Sequence, residues 1–201
     1  MKVDCKNKTI SKPAGEYTPA GRITLDELVE YIDIFQKEIK ETPAKVAVEQ
    51  WKTSGFQAQH LEKLLYSIIV KFGEGHRIYG KWRDYYKQNA YQVNQHLKDA
   101  YNSAAADTAR ALKSIRKVKG LGGQSYSTKV MRFFDSHYVI LDSILRRELR
   151  LSSADYGQFK DDCKGIAAAI GKTPSEVESG IFAWVQILNP KQRKKRWKKY
   201  V

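Results

Sequence analysis

From residue 25 onward, the apolar positions of the chain recur at helical spacing. Leu25, Leu28, Val29 and Ile32 follow a Thr24–Glu27 capping box, which predicts a helix that is broken near Thr42 and Pro43. The longest stripe lies in "AQHLEKLLYSIIVKF", where Leu61, Leu64, Leu65, Ile68, Ile69 and Phe72 share one face and Gly73 and Gly75 stop it. "RIYGKWRDYYKQNAYQVNQHL" is aromatic-rich and reads as helix despite Gly80. "SAAADTARALKSIRKVK" is a good helix former, with Ala105, Leu112 and Ile115 expected inward. A helix is expected from about Ser125 to Phe134 and another after Asp142. A third has Tyr156, Phe159, Cys163, Ile166 and Ile170 on one side and ends at Gly171. The last starts at Thr173, with Pro174 at its first position and Glu176 closing a capping box, and buries Val177, Ile181, Trp184, Val185 and Leu188. No alternating strand of useful length and no internal repeat is visible, so the expected class is all-α.

Residues 1–22 are polar and broken by Pro13, Gly15, Pro19 and Gly21, which reads as an arm without a face to bury. The expected organisation is that arm, one helical domain over 23–188 and a basic tail over 189–201. A chain of 201 residues is long enough for one real core.

Charge changes the picture. The net charge is +14, and "KQRKKRWKK" (191–199) supplies half of it, so the remainder is still strongly basic. That balance favours a polyanion, nucleic acid before an anionic membrane surface. The tail can hold phosphates or remain solvated, and Trp197 within it can stack on a base or lie on the domain surface. Cys5 and Cys163 are isolated, and His60, His76, His96 and His137 have no ligand spacing, so no metal or other cofactor is expected. With no long apolar run and no leader-like start, the expectation is a cytoplasmic, monomeric protein that does not enter membranes.

One stretch does not fit a plain helical bundle. "VKGLGGQSYSTKV" places three glycines in four positions ahead of a helix start. Glycines let backbone N–H groups approach an anion, and the following helix N-terminus adds its dipole. A helix, not a strand, precedes it, and no Walker spacing follows, which leaves a hairpin between two helices gripping a nucleic-acid phosphate. Leu121 would tuck inward, and Lys117, Lys119 and Lys129 would add charge. The alternative, a plain turn with a glycine cap, needs one glycine rather than three.

"VKGLGGQSYSTKV" followed by "YVILDSILRR" resembles the helix-hairpin-helix (HhH-GPD) DNA glycosylases, a superfamily with a Gly-hydrophobic-Gly hairpin and a catalytic aspartate about twenty residues later. Gly122 and Asp142 are twenty apart. "SGIFAWVQILN" is similar to the closing helix of the oxoguanine-type branch. The resemblance implies a two-lobed helical fold and a duplex DNA partner carrying a modified base. It implies contacts to that DNA from Lys119, Gly120, Leu121, Gly122, Gly123, Gln124, Ser125 and Lys129, with Asp142 catalytic. Gln124 stands where bifunctional members carry a lysine nucleophile. An amide cannot form a Schiff base, so the implied activity is hydrolytic base release without strand cleavage. Lys119 and Tyr126 also depart from the pattern, replacing a proline and a small residue.

Cleaving an N-glycosidic bond builds positive charge on the sugar, which a fixed carboxylate stabilises while it orients water. Asp142 has apolar Val139–Leu141 behind it and a helix ahead. An aspartate there is also a good N-cap, and the two roles can coexist. A base drawn out of the duplex needs a pocket. Tyr66, Tyr79, Trp82, Tyr85, Tyr86 and Trp184 read as core, leaving Phe182 as the pocket candidate. Two functions remain: a DNA glycosylase of repair or defence, or a non-catalytic helix-hairpin-helix DNA-binding module.

Overall fold

Regular structure begins earlier than the apolar pattern predicts. The computed structural model describes residues 1–4, 6–189 and Trp197. Three strands begin within the expected arm, β1 (Lys2–Asp4), β2 (Thr9–Lys12) and β3 (Gly21–Thr24), the last running two residues past it, and they pair antiparallel in that order. Ile10 stands opposite Ile23, and both are buried. The arm therefore does have a face to bury. Each strand carries too few apolar residues for a period of two to register.

The rest is mostly helical: helices of all types make up 68% of the described residues, ten of them α-helices. They are α1 (Leu25–Glu38), α2 (Thr42–Thr53), α3 (Leu61–Tyr66), α4 (His76–Gln88), α5 (Ala90–Ser103), α6 (Thr108–Arg116), α7 (Gln124–Phe134), α8 (Ser143–Leu149), α9 (Tyr156–Ile170) and α10 (Pro174–Leu188). α3 continues as a π-helical turn over Ser67–Phe72. Both expected capping boxes are present, at Thr24 and Thr173, and Gly171 ends α9 in the left-handed region. The long helix expected over 103–119 is instead interrupted: α5 stops at Ser103, and Asp107 caps α6 by accepting from Arg110 N–H. Ala105, expected inward, is exposed in that break.

The helices fall into two compact units. One takes residues 1–39 and the chain from His137 onward, and so holds the sheet, α1 and α8–α10. Its core joins Ile10 and Ile23 of the sheet to Leu28 and Ile32 of α1 and to Ile181 and Trp184 of α10. Trp197 is buried against Phe182 in the same unit; the basic residues around it, like Cys5, lie outside the described residues.

The other unit is Lys40–Ser136, with α2–α7. Trp51 is its centre: the ring stacks on Phe134 at 5.7 Å and meets Phe56 edge-on at 4.8 Å. The indole N–H donates to Asn94 Oδ1 at 2.7 Å, and the Asn94 amide donates to Phe56 O, so this buried polar pair is satisfied. Arg132, almost fully buried, pairs with Glu41, which also takes Lys45 at 2.8 Å.

Candidate nucleic-acid interface

After α6 the chain reverses tightly. Leu121 N–H donates to Val118 O at 3.0 Å, with Lys119 and Gly120 between them and Gly120 at φ +83°. A turn with positive φ at its third position selects glycine. Packing selects it a second time, because a Cβ on Gly120 would stand 2.5 Å from Trp82 Cδ1 and 2.8 Å from Tyr86 Oη. The Tyr86 hydroxyl donates to Lys119 O at 2.9 Å. Burial pushes that phenol well above its usual range, so at neutral pH it stays a donor. Val118 and Leu121 are fully buried and hold the loop from beneath, while Gly122 and Gly123 are exposed. The inward Leu121 agrees with expectation.

Beyond the turn the backbone offers donors. Among the described residues, the N–H groups of Gly122, Gly123, Gln124 and Ser125 meet no acceptor. The last two begin α7, whose dipole places partial positive charge at the same spot. Lys129 Nζ donates to Ser125 Oγ at 3.2 Å and lies 5.0 Å over the Tyr126 ring. Tyr126, the departure from a small residue, turns its hydroxyl toward Gly75 in the loop before α4. Between Asp107 and Asp135 the chain carries seven basic side chains and no acidic one, and of the seven Arg132 is buried against Glu41. Unpaired backbone donors, a helix N-terminus and a one-signed field can hold a phosphodiester. Gln124 Oε1 is buried without a hydrogen-bond donor.

Asp142 belongs to the other unit. It opens α8 after the buried run Val139–Leu141, and its Oδ1 accepts from the N–H of Ile144 and of Leu145, both at 3.0 Å. The residue is 9% exposed. Among the described residues no donor reaches Oδ2, yet it is not one of the buried orphan atoms, so it keeps contact with solvent. The cap role is therefore present, and it uses one oxygen.

Further along α8, Glu148 is fully buried. Its Oε2 accepts from Tyr17 N–H at 3.1 Å and from Thr18 Oγ1 at 2.9 Å, and its Oε1 from Arg147 Nε at 3.2 Å. Lys12 Nζ donates to the same Thr18 Oγ1 and to Pro19 O, each at 2.6 Å. Burial pushes the Lys12 ammonium below its usual range, and the Glu148 charge works against that. Gly15 leaves no room: a Cβ there would lie 2.4 Å from Glu148 Oε2. The segment expected to be a loose arm thus fastens the helix that Asp142 caps.

No protein-family model, curated protein or solved structure matches the chain.

Phe182, the expected pocket residue, is half-buried, and its ring meets Phe35 at 6.1 Å and Trp197 at 6.3 Å, both edge-on. Of the aromatics assigned to core, Tyr79 and Tyr86 are buried, but Tyr66 is exposed and Trp82 and Tyr85 are half-buried. No group of His, Cys, Asp or Glu suited to a metal ion occurs among the described residues, and no helix there is long and apolar enough to cross a membrane. Sequence reasoning missed the support that α4 gives the hairpin. Its signal was the spacing of Trp82, Tyr85 and Tyr86, three and four apart on one helical face.

Proposed function

We propose that this protein is a monofunctional DNA glycosylase that hydrolyses the bond between a modified base and its sugar. The observation that carries the reading is Asp142: a carboxylate immobilised through Oδ1, with Oδ2 left unengaged, twenty residues after a hairpin suited to a backbone phosphate. The glycosidic C1′–N bond breaks, and the base leaves with the electron pair and picks up a proton. The sugar cation is stabilised by Oδ2, which also orients the water whose oxygen bonds C1′ and accepts its proton. Holding the carboxylate by a cap means that little reorganisation is needed as charge develops. Gln124 offers no amine, so an abasic site is left with the strand intact. The division into two compact units is in keeping with the two-lobed organisation that the resemblance implies.

The experiment is incubation with duplexes carrying a broad panel of modified bases, followed by alkali to cut abasic sites. Cleavage that depends on alkali is expected for at least one lesion. Binding without release from any duplex favours the second reading, a DNA-binding module, in which the cap alone accounts for the burial of Asp142.

A further inference from the structure

The hairpin carries one ammonium that its own turn does not explain. Lys119 Nζ lies 4.8 Å from the centre of the Tyr85 ring and 5.7 Å from that of Trp82. A second ammonium, Lys81 Nζ on α4, lies 5.1 Å from the same Trp82 ring. Trp82 and Tyr85 meet edge-on at 6.2 Å, and both are half-buried. Attraction to the ring faces fixes long side chains that would otherwise sample many rotamers.

Two ammonium groups, 5.1 and 5.7 Å from the centre of one indole, thus stand at the same aromatic side chain. Among the described residues neither Lys81 nor Lys119 pairs with a carboxylate; the nearest acid in sequence, Asp84, lies 3.7 Å from Arg83 Nε. The ligand that completes such an arrangement is an anion. Lys119 immediately precedes the turn glycine, three residues before the first of the free N–H groups of Gly122–Ser125, and belongs to the same unit.

We propose that Lys81 and Lys119, held on Trp82 and Tyr85, form a second phosphodiester site. It takes the phosphate next to the one at the hairpin, so that this unit grips two successive phosphates of one strand. The site deepens the DNA reading above and rests on it. It also gives the aromatics a role: they aim ammonium groups.

Binding of an unmodified, dye-labelled duplex is measured by anisotropy for the wild type, Lys81→Glu and Gly122→Asp over a series of salt concentrations. Losing one phosphate contact lowers the salt slope by about one and weakens binding about eightfold near 0.1 M salt. Lys81→Glu is expected to show both changes. Tryptophan emission supplies a second readout, since Trp51, Trp184 and Trp197 are buried and Trp82 is not. Duplex is expected to change the emission of the wild type but not of Trp82→Phe. If Gly122→Asp loses binding while Lys81→Glu keeps the wild-type affinity and slope, the second site is overturned and the hairpin contact stands. If the wild type does not bind duplex, both are overturned.

Discussion

Asp142 and Glu148 stand near opposite ends of one short helix and are both buried, but they are used differently. Glu148 is wholly enclosed, with donors on both oxygens from the backbone of Tyr17, the hydroxyl of Thr18 and the guanidinium of Arg147. Asp142 spends Oδ1 on the first turn of α8 and keeps Oδ2 in contact with solvent. A buried carboxylate shut away from solvent, with donors on both oxygens, has nothing left for a substrate. One that is half answered is held still and remains reactive. The contrast separates a structural acid from a candidate catalytic one without reference to any related protein.

Removing the fully engaged acid should have the largest effect on stability. Glu148→Ala leaves the Tyr17 N–H and the buried Thr18 hydroxyl without their acceptor and Lys12 short of its counter-charge, while Arg147 keeps Glu16 at 2.9 Å. It is expected to cost about 3–5 kcal/mol, read as a fall in the thermal midpoint. Glu41, in the other unit, is a second acid of this kind. Burial pushes its carboxyl up, but Arg132 and Lys45 outweigh that and hold it below its ordinary 4.5. A depressed value in the folded state contributes stability that is present above pH 4.5 and is lost as pH falls through the folded value. Unfolding midpoints should therefore fall on acidification below that range, and Glu41→Gln should flatten the fall. Arg132→Met, which strands the Glu41 charge, is expected to cost about 2–3 kcal/mol at neutral pH, with the loss shrinking in acid. The smallest effect belongs to Asp142→Asn. Asparagine caps as well as aspartate, so the midpoint should move by less than about 0.5 kcal/mol. A large loss there would erase the distinction between the two ends of α8.

The helical part of the molecule was legible in the residues. Thr24, Thr173 and Gly171 announced their helix ends because capping is local chemistry, confined to three or four neighbouring positions. Asp142 could be read as a cap for the same reason, and the triple glycine as a bend. The sheet escaped because its strands have only three or four residues, and the second inward position of β2 is a lysine, Lys12, so no apolar period of two shows. The Glu148 anchor escaped because its partners Tyr17 and Thr18 lie about 130 residues away, beyond any local pattern. The packing of Phe182 was not legible because its partners, Phe35 and Trp197, lie on other elements.

Whether Asp142 takes part in chemistry is decided by single-turnover base release from Asp142→Asn, with enzyme in excess over a duplex that the wild type processes. Release is expected to slow on the order of 10²–10³-fold, with duplex affinity and thermal midpoint unchanged. Release at the wild-type rate would mean that the free oxygen of Asp142 has no part in the reaction, and the glycosylase reading would lose its catalytic group.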